Sequence, residues 1–418
     1  MKAYLISIGE ELLIGQTINT NAAYIGSRLS DINIDVIKIS MVKDDETDII
    51  AELDLAAKTA DVILITGGLG PTHDDITKKT IIKYFNTELT ENTEVLENIR
   101  SLFERRGRHV TPLNEQQALV PKIAEVITND YGTAPGMWIE KDNKVFVIMP
   151  GVPYEMKPMM TNFVVPRLME SAAEEGLLIK RLILQTTGIP ESTLYERLGD
   201  LNELLEGAEL AFLPSVFGVK LRVTVKTNDE ELAKNKLVEI EQKIRGKIGR
   251  YIYSRGEEKL EETVGRLLKE RDLKLAIAES CTGGHVCNLI TNISGSSIFF
   301  ERGIISYSNA AKVEVLKVDE DTLTEFGAVS QEVAMQMAEG VKSTSGADLG
   351  ISITGILGPT GATTDKPVGL VYIGYCDDKV CTAKKFMFGN DRIINKQRTA
   401  QAALDMIRRN LLGITSDD

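Results

Sequence analysis

The chain has 418 residues, 43% apolar and 26% charged, with a formal charge of −13. That length supports two to four domains, each able to bury its own core. The acidic balance, with no Lys/Arg block of five or more, argues against direct nucleic-acid binding, because the general field repels a polyanion.

Residues 2–9, KAYLISIG, read as a first strand rather than a secretion signal, since no basic n-region or small-residue cleavage site flanks the apolar run. No stretch approaches 18 uninterrupted apolar residues, so no membrane span is expected. Asn19 or Thr20 caps a helix through about Ser30. Asp35–Met41 is a second strand, Asp45–Ala60 a helix, and Asp61–Gly67 a fully apolar third strand. Strands alternating with helices of this length predict βαβ units and a parallel sheet, whose ligands lie beyond the carboxyl ends of the strands. The third strand runs into TGGLGPTHDDIT, residues 66–77, and then a helix to about Phe85. Gly67 and Gly68 let backbone approach a phosphate or other anion. Asp74 and Asp75 either hold a hard divalent cation or are acidic residues at a helix start. Trp138 reads as strand core.

Leu178–Thr187 reads as a strand, Pro190–Leu198 as a helix, Val219–Val225 as a strand and Asp229–Lys247 as a charged helix, a small α+β module. A nucleic-acid-binding module of the KH type needs a GXXG loop between helices. Gly246–Gly249 has that spelling but follows the long helix and reads as its stop. Ser254–Glu258 is a polar linker, and Glu262–Arg271 a helix.

Lys274–Ala278 is a short buried strand, residues 279–284 (ESCTGG) a tight turn, and His285–Ile293 a helix. Val286, Leu289, Ile290 and Ile293 share its apolar face. A glycine turn opening a helix offers backbone donors to an anion at Gly283 and Gly284. Ser280 in that turn is placed to act as a nucleophile, and Tyr307 and Lys312 can manage a proton. A Ser–Lys arrangement suits a chain with three histidines, which also makes a Ser-His-Asp triad or a histidine zinc cluster a poor reading. Glu279 either holds a catalytic group or the ribose, or caps backbone. Cys281, Cys287, Cys376 and Cys381 form no CxxC pair and read as reduced, buried cysteines of a cytoplasmic protein. Ser330 caps the helix Gln331–Lys342, and Arg392 opens a final helix with Ala400, Ala403, Leu404, Ile407 and Leu411 on its apolar face.

Taken together, AESCTGG, GSS, ERGIISYSNAAK, GAVS and SITGILGPTGATTDKPVG closely resemble the C-terminal domain of the CinA family (competence/damage-inducible protein A), over about residues 255–412. GEELLIGQTINTNA, GGLGPTHDDIT, NEQQA, GTAPG and MPGVPYEM resemble the molybdopterin-binding-like N-terminal domain of the same family. The resemblance implies three domains: two α/β three-layer domains, 1–170 and 255–418, joined by a small α+β KH-like module, 171–254, that serves as spacer or dimer element. It implies a homodimer and two substrates. The last domain is similar to nicotinamide mononucleotide deamidase, which converts the mononucleotide and water to nicotinate mononucleotide and ammonia in pyridine nucleotide salvage, without a cofactor. Ser280 would be its nucleophile, Lys312 the base, Tyr307 a proton relay and Thr354 an orienting group. Gly355, Arg392 and then Arg398 would serve the phosphate. The first domain is associated with ADP-ribose hydrolysis to AMP and ribose 5-phosphate by a divalent metal (Mg, Mn or Co). Asp74, Asp75, Glu155 and Glu11 would be metal or phosphate-site residues there, and Asn114 and Gln117 would bond substrate. The competing expectations are a nucleotide-sensing scaffold linked to competence or damage responses, and a molybdopterin binder.

Overall fold

The computed structural model describes residues 1–70, 75–172 and 178–414. The chain divides into two compact units, Met1–Ile179 and Lys180–Asp418. In both, the architecture is mixed α/β, and no helix of the described residues is long and apolar enough to cross a membrane.

The first unit is built on a six-stranded sheet in the order Asp35–Val42, Lys2–Ile8, Val62–Thr66, Lys144–Met149, Gly136–Lys141, Glu125–Ile127. The first four strands are parallel and the last two turn antiparallel. Val62–Thr66 is buried at every position, as a parallel strand covered on both faces must be. Side chains alternate between two cores. Leu5 and Leu64 join the helix Thr20–Asp31 on one face, and Ile6, Ile63 and Ile65 join Glu46–Thr59 on the other. Both helices start where the sequence says, with Asn19 accepting from the Ala22 amide and Asp45 from those of Thr47 and Asp48. Trp138 is core, 2% exposed.

The second unit holds two sheets. The smaller runs Glu209–Ser215, Gly218–Thr227, Leu178–Thr186, Ile252–Arg255, with the helices Glu191–Leu198 and Glu230–Ile248 packed into its core. Its edge strand Glu209–Ser215 escapes sequence reading because its residues are exposed or half-buried and show no alternation. Gly246 sits inside the long helix and Gly249 ends it. The polar stretch read as a linker is tied down: the Gly256 amide donates to the Ile183 carbonyl, and the Ser254 hydroxyl to that of Glu258.

The larger sheet runs Phe300–Ile305, Leu275–Glu279, Leu349–Gly355, Leu370–Cys376, Cys381–Met387, parallel across its first three strands and antiparallel beyond. Leu275 and Ile277 face Leu260–Glu270 and Arg392–Leu412, while Ala276 and Ala278 face Gln331–Ser345. That last helix lies unusually close to the sheet. A Cβ at Gly350 or Gly374 would overlap the carbonyl of Ala338 or Ala334. Ser330 caps it as expected, accepting from the Val333 amide. Cys376 and Cys381 stand opposite each other in the final hairpin and are joined as a disulfide, a correction to the expectation of four reduced thiols. Cys281 and Cys287 are free.

Candidate active site

The strand Leu275–Glu279 ends in the turn that carries Ser280, and the neighbouring strand Phe300–Ile305 ends in Ser306 and Tyr307. Parallel pairing brings these ends together. The Ser280 amide donates to the Ile353 carbonyl, and that of Ser306 to the Glu279 carbonyl. The helix Asn309–Leu316, capped by Ser308, then turns Lys312 back under the sheet edge. Its amine lies 3.2 Å from Ser280 Oγ and donates to the carbonyls of Ser306 (2.8 Å) and Tyr307 (3.3 Å). Lys312 is 1% exposed and Ser280 8%. Burial lowers the lysine's pKa from its ordinary value, because a charged amine loses hydration there. Two carbonyls occupy two N–H groups. In the neutral amine the lone pair is left for the Ser280 proton; in the ammonium the third N–H meets Ser280 Oγ. The Cys281 thiol next door is pushed up to about 12, mainly by burial, so it remains a thiol and is a poor nucleophile.

The remaining expected residues divide. Glu279 is fully buried, and its carboxylate accepts from the amides of Gly284 (2.9 Å), Val286 (3.3 Å) and Cys287 (2.8 Å). It is the built-in anion of the helix His285–Thr291, the backbone-capping alternative of the sequence reading. The expectation of phosphate donors at Gly283 and Gly284 is corrected on the same ground. The Gly284 amide serves Glu279, and the Gly283 amide serves the Ser280 carbonyl. Their left-handed backbone, φ +58° and +90°, makes the turn possible. Tyr307 reaches Lys312 through its carbonyl, while its side chain is 65% exposed and makes no hydrogen bond to Ser280 or Lys312 among the described residues. The Thr354 hydroxyl donates to the Ala328 carbonyl at 2.7 Å and so ties down a loop, and it makes no hydrogen bond to Ser280 among the described residues. Gly355 is packed between Val371 and the Leu370 carbonyl as a strand residue.

The cations come from the last helix. Arg392 donates to the Gly358 carbonyl at 2.8 Å, and its charge acts on the Cys281 thiol. Lys396, one turn later on the same face, brings its amine to 3.8 Å from where a Gly283 side chain would begin, and it lowers the pKa of His285 after burial does. Arg398 lies two residues further, about 200° round the helix, so Lys396 and not Arg398 shares the face of Arg392 toward the Ser280 turn. Helical spacing from Arg392, i to i+4, is the signal that finds Lys396. Thr282 and Ser306 complete the surroundings, each fully buried with a hydroxyl that lacks a partner among the described residues. Local pattern gives no sign of either.

In the first unit Gly67 and Gly68 lie beyond a strand end, as expected. Their glycine identity answers close packing against the Ile8 carbonyl and the Thr77 hydroxyl, and the Gly67 amide is taken by the Met149 carbonyl. Asn114 spends its side-chain oxygen capping a short helix with Thr111. Gln117, 3% exposed, accepts from Lys78 at 3.2 Å, which also donates to the Leu119 carbonyl. Lys78 was not singled out by sequence. Burial pulls its pKa down to about 8. Glu155 accepts from Asn129 at 2.8 Å beneath the GTAPG loop, and Glu11 folds back over Gly9. Asp75 lies against Gly70, and Asp74 lies outside the described residues. No group of three or more His, Cys, Asp or Glu is gathered among the described residues. The described carboxylates therefore do not by themselves form a divalent-metal cage.

Three family models cover almost the whole chain: a probable molybdopterin binding domain over residues 4–170, a damage-inducible protein CinA KH domain over 181–254, and a CinA C-terminal domain over 257–411. A putative competence-damage inducible protein of Caldicellulosiruptor saccharolyticus is 45% identical over 412 residues, spanning 99% of this chain and 100% of the relative. A CinA-like protein of Kosmotoga olearia is 42% identical, with 99% of each chain covered. Among solved structures, competence/damage inducible protein CihA from Agrobacterium tumefaciens is 35% identical, covering 37% of this chain and 97% of its own, at a TM-score of 0.35. Full-length identity and three matching domains in register show that the chain belongs to the CinA family of competence/damage-inducible proteins.

Proposed function

We propose that the second unit is an amidohydrolase that opens the carboxamide of nicotinamide mononucleotide. The observation that carries this reading is the desolvated Lys312 amine, 3.2 Å from Ser280 Oγ. Ser280 Oγ attacks the carboxamide carbon while its proton passes to Lys312. The amides of Cys281 and Thr282 are the turn donors left for the oxyanion, since those of Gly283 and Gly284 are engaged. Collapse of the tetrahedral intermediate breaks the C–N bond, and Lys312 returns the proton to the departing ammonia. Water then attacks the acyl-serine with Lys312 again as base, releasing the carboxylate and restoring the hydroxyl. Arg392 and Lys396 hold the substrate phosphate, and Tyr307 covers the mouth. Ser280→Ala should abolish ammonia release while mononucleotide binding, followed by calorimetry, stays near normal. Turnover retained in that variant would end the nucleophile assignment.

For the first unit the reading is hydrolysis of ADP-ribose to AMP and ribose 5-phosphate, which rests on membership of the CinA family and on a parallel sheet whose strand ends are where such folds take ligands. The divalent metal expected for it finds no complete donor set among the described residues, so no step is assigned to it.

A further inference from the structure

Where the last helix meets the KH-like sheet, three guanidinium groups surround one aromatic ring. Those of Arg197, Arg250 and Arg409 lie 5.4, 5.2 and 5.8 Å from the centroid of Tyr251, a residue 5% exposed. Arg408 is buried beside them. It donates to the carbonyls of Arg250 (2.7 Å) and Ile252 (3.4 Å) and to Asp405 (2.8 Å). Asp405 also pairs with Arg409 at 3.2 Å. Arg197 and Arg250, both half-buried, make no ion pair among the described residues.

Like charges gathered this closely repel, and the quadrupole of one ring attracts them without neutralising a formal charge. The excess is conspicuous in a chain of net charge −13. Guanidinium forks match the paired oxygens of phosphate groups. The cations converge on a single point and do not form a stripe, which fits a small ligand better than a polymer backbone. We propose that this junction binds a small molecule through a phosphate or diphosphate group. The site is separate from the Ser280 pocket. Arg409 is 17 residues beyond Arg392 on one helix, about 25 Å along its axis. Bound anion would hold the KH-like module and the last helix together, since Arg197 and Arg250 belong to the first and Arg409 to the second.

Isothermal titration of the full chain with sodium pyrophosphate tests this. Any binding at other sites is common to the parent chain and to R197Q/R250Q, so the difference between their isotherms isolates the junction. A component weakened about tenfold or more in the double variant is expected, with ammonia release unchanged. Superimposable isotherms would overturn the proposal. Should the double variant misfold, phenylglyoxal labelling of the unaltered chain gives a second reading by mass spectrometry. Pyrophosphate should protect Arg197 and Arg250. Labelling that is equal with and without it, or protected by single-stranded RNA alone, would refute the small-ligand site.

Discussion

A lysine that is to take a proton from serine must be neutral when the substrate arrives, and burial of Lys312 shifts its pKa in that direction. Its hydrogen-bond partners among the described residues are two main-chain carbonyls and a hydroxyl, none of them a carboxylate. Those carbonyls still receive the ammonium once the proton has moved, so the group cycles without rearranging. The ascending limb of kcat/KM against pH should therefore have its midpoint below the ordinary lysine value of 10.5. The same shift acts on stability. Between the lowered folded pKa and 10.5 the unfolded chain binds more protons than the folded one, so the contribution of Lys312 rises with pH across that window. Each unit of lowering is worth about 1.4 kcal/mol. Lys312→Met should abolish ammonia release and flatten the increase in unfolding free energy between neutral and alkaline pH, measured by urea titration at several pH values. An unchanged slope would mean that the amine is charged in the folded protein.

One helix, Arg392–Leu412, serves both the pocket and the junction with the KH-like module, and the two ends make separate demands on it. At its start, Asp391 caps the Ile394 amide and Arg392 and Lys396 share the face toward the Ser280 turn. Lys396→Gln should raise KM for the mononucleotide about tenfold with a smaller change in kcat, while Arg398→Gln leaves both near the parent value. Initial-rate kinetics that ranked the two the other way would relocate the phosphate. At the other end, Asp405 is the buried counter-charge of Arg408. Asp405→Ala should cost about 3–5 kcal/mol in urea unfolding, because it leaves a guanidinium buried and unpaired. Much of this element was legible in sequence: its start and its apolar stripe follow from period and residue type. The Ser280 turn was legible for the same reason, as an apolar run, a glycine pair and a second helix. What failed was the facing of side chains. Arg398 is the second cation that family likeness suggests, although 100° per residue puts it on the other side of the helix from Lys396. Glu279 stayed ambiguous because only burial shows that its carboxylate is spent on amides. The meeting of Ser280 with Lys312, 32 positions apart, came from family likeness, since parallel pairing of strand ends leaves no local mark.

Across the whole chain, each unit buries its own sheet with helices on both faces of the principal one, and the residues assigned to chemistry do not mix. Ser280, Lys312, Arg392 and Lys396, proposed for the deamidation, all belong to Lys180–Asp418, while Asp75 and Gln117, expected from family likeness at the first unit's site, belong to Met1–Ile179. Each unit has hydrophobic cores of its own, and the effects of substitutions that share no partners add. Asp75→Ala should therefore reduce ADP-ribose hydrolysis at least about tenfold while ammonia release from nicotinamide mononucleotide stays within about twofold of the parent. The Lys312→Met chain should show the reverse pattern. Both assays are run on the intact protein, so any coupling through the chain is preserved. If the two activities fell together in either variant, with the circular-dichroism spectrum unchanged, the independent-unit account would fail, and the second substrate would have to be handled by residues contributed from both halves.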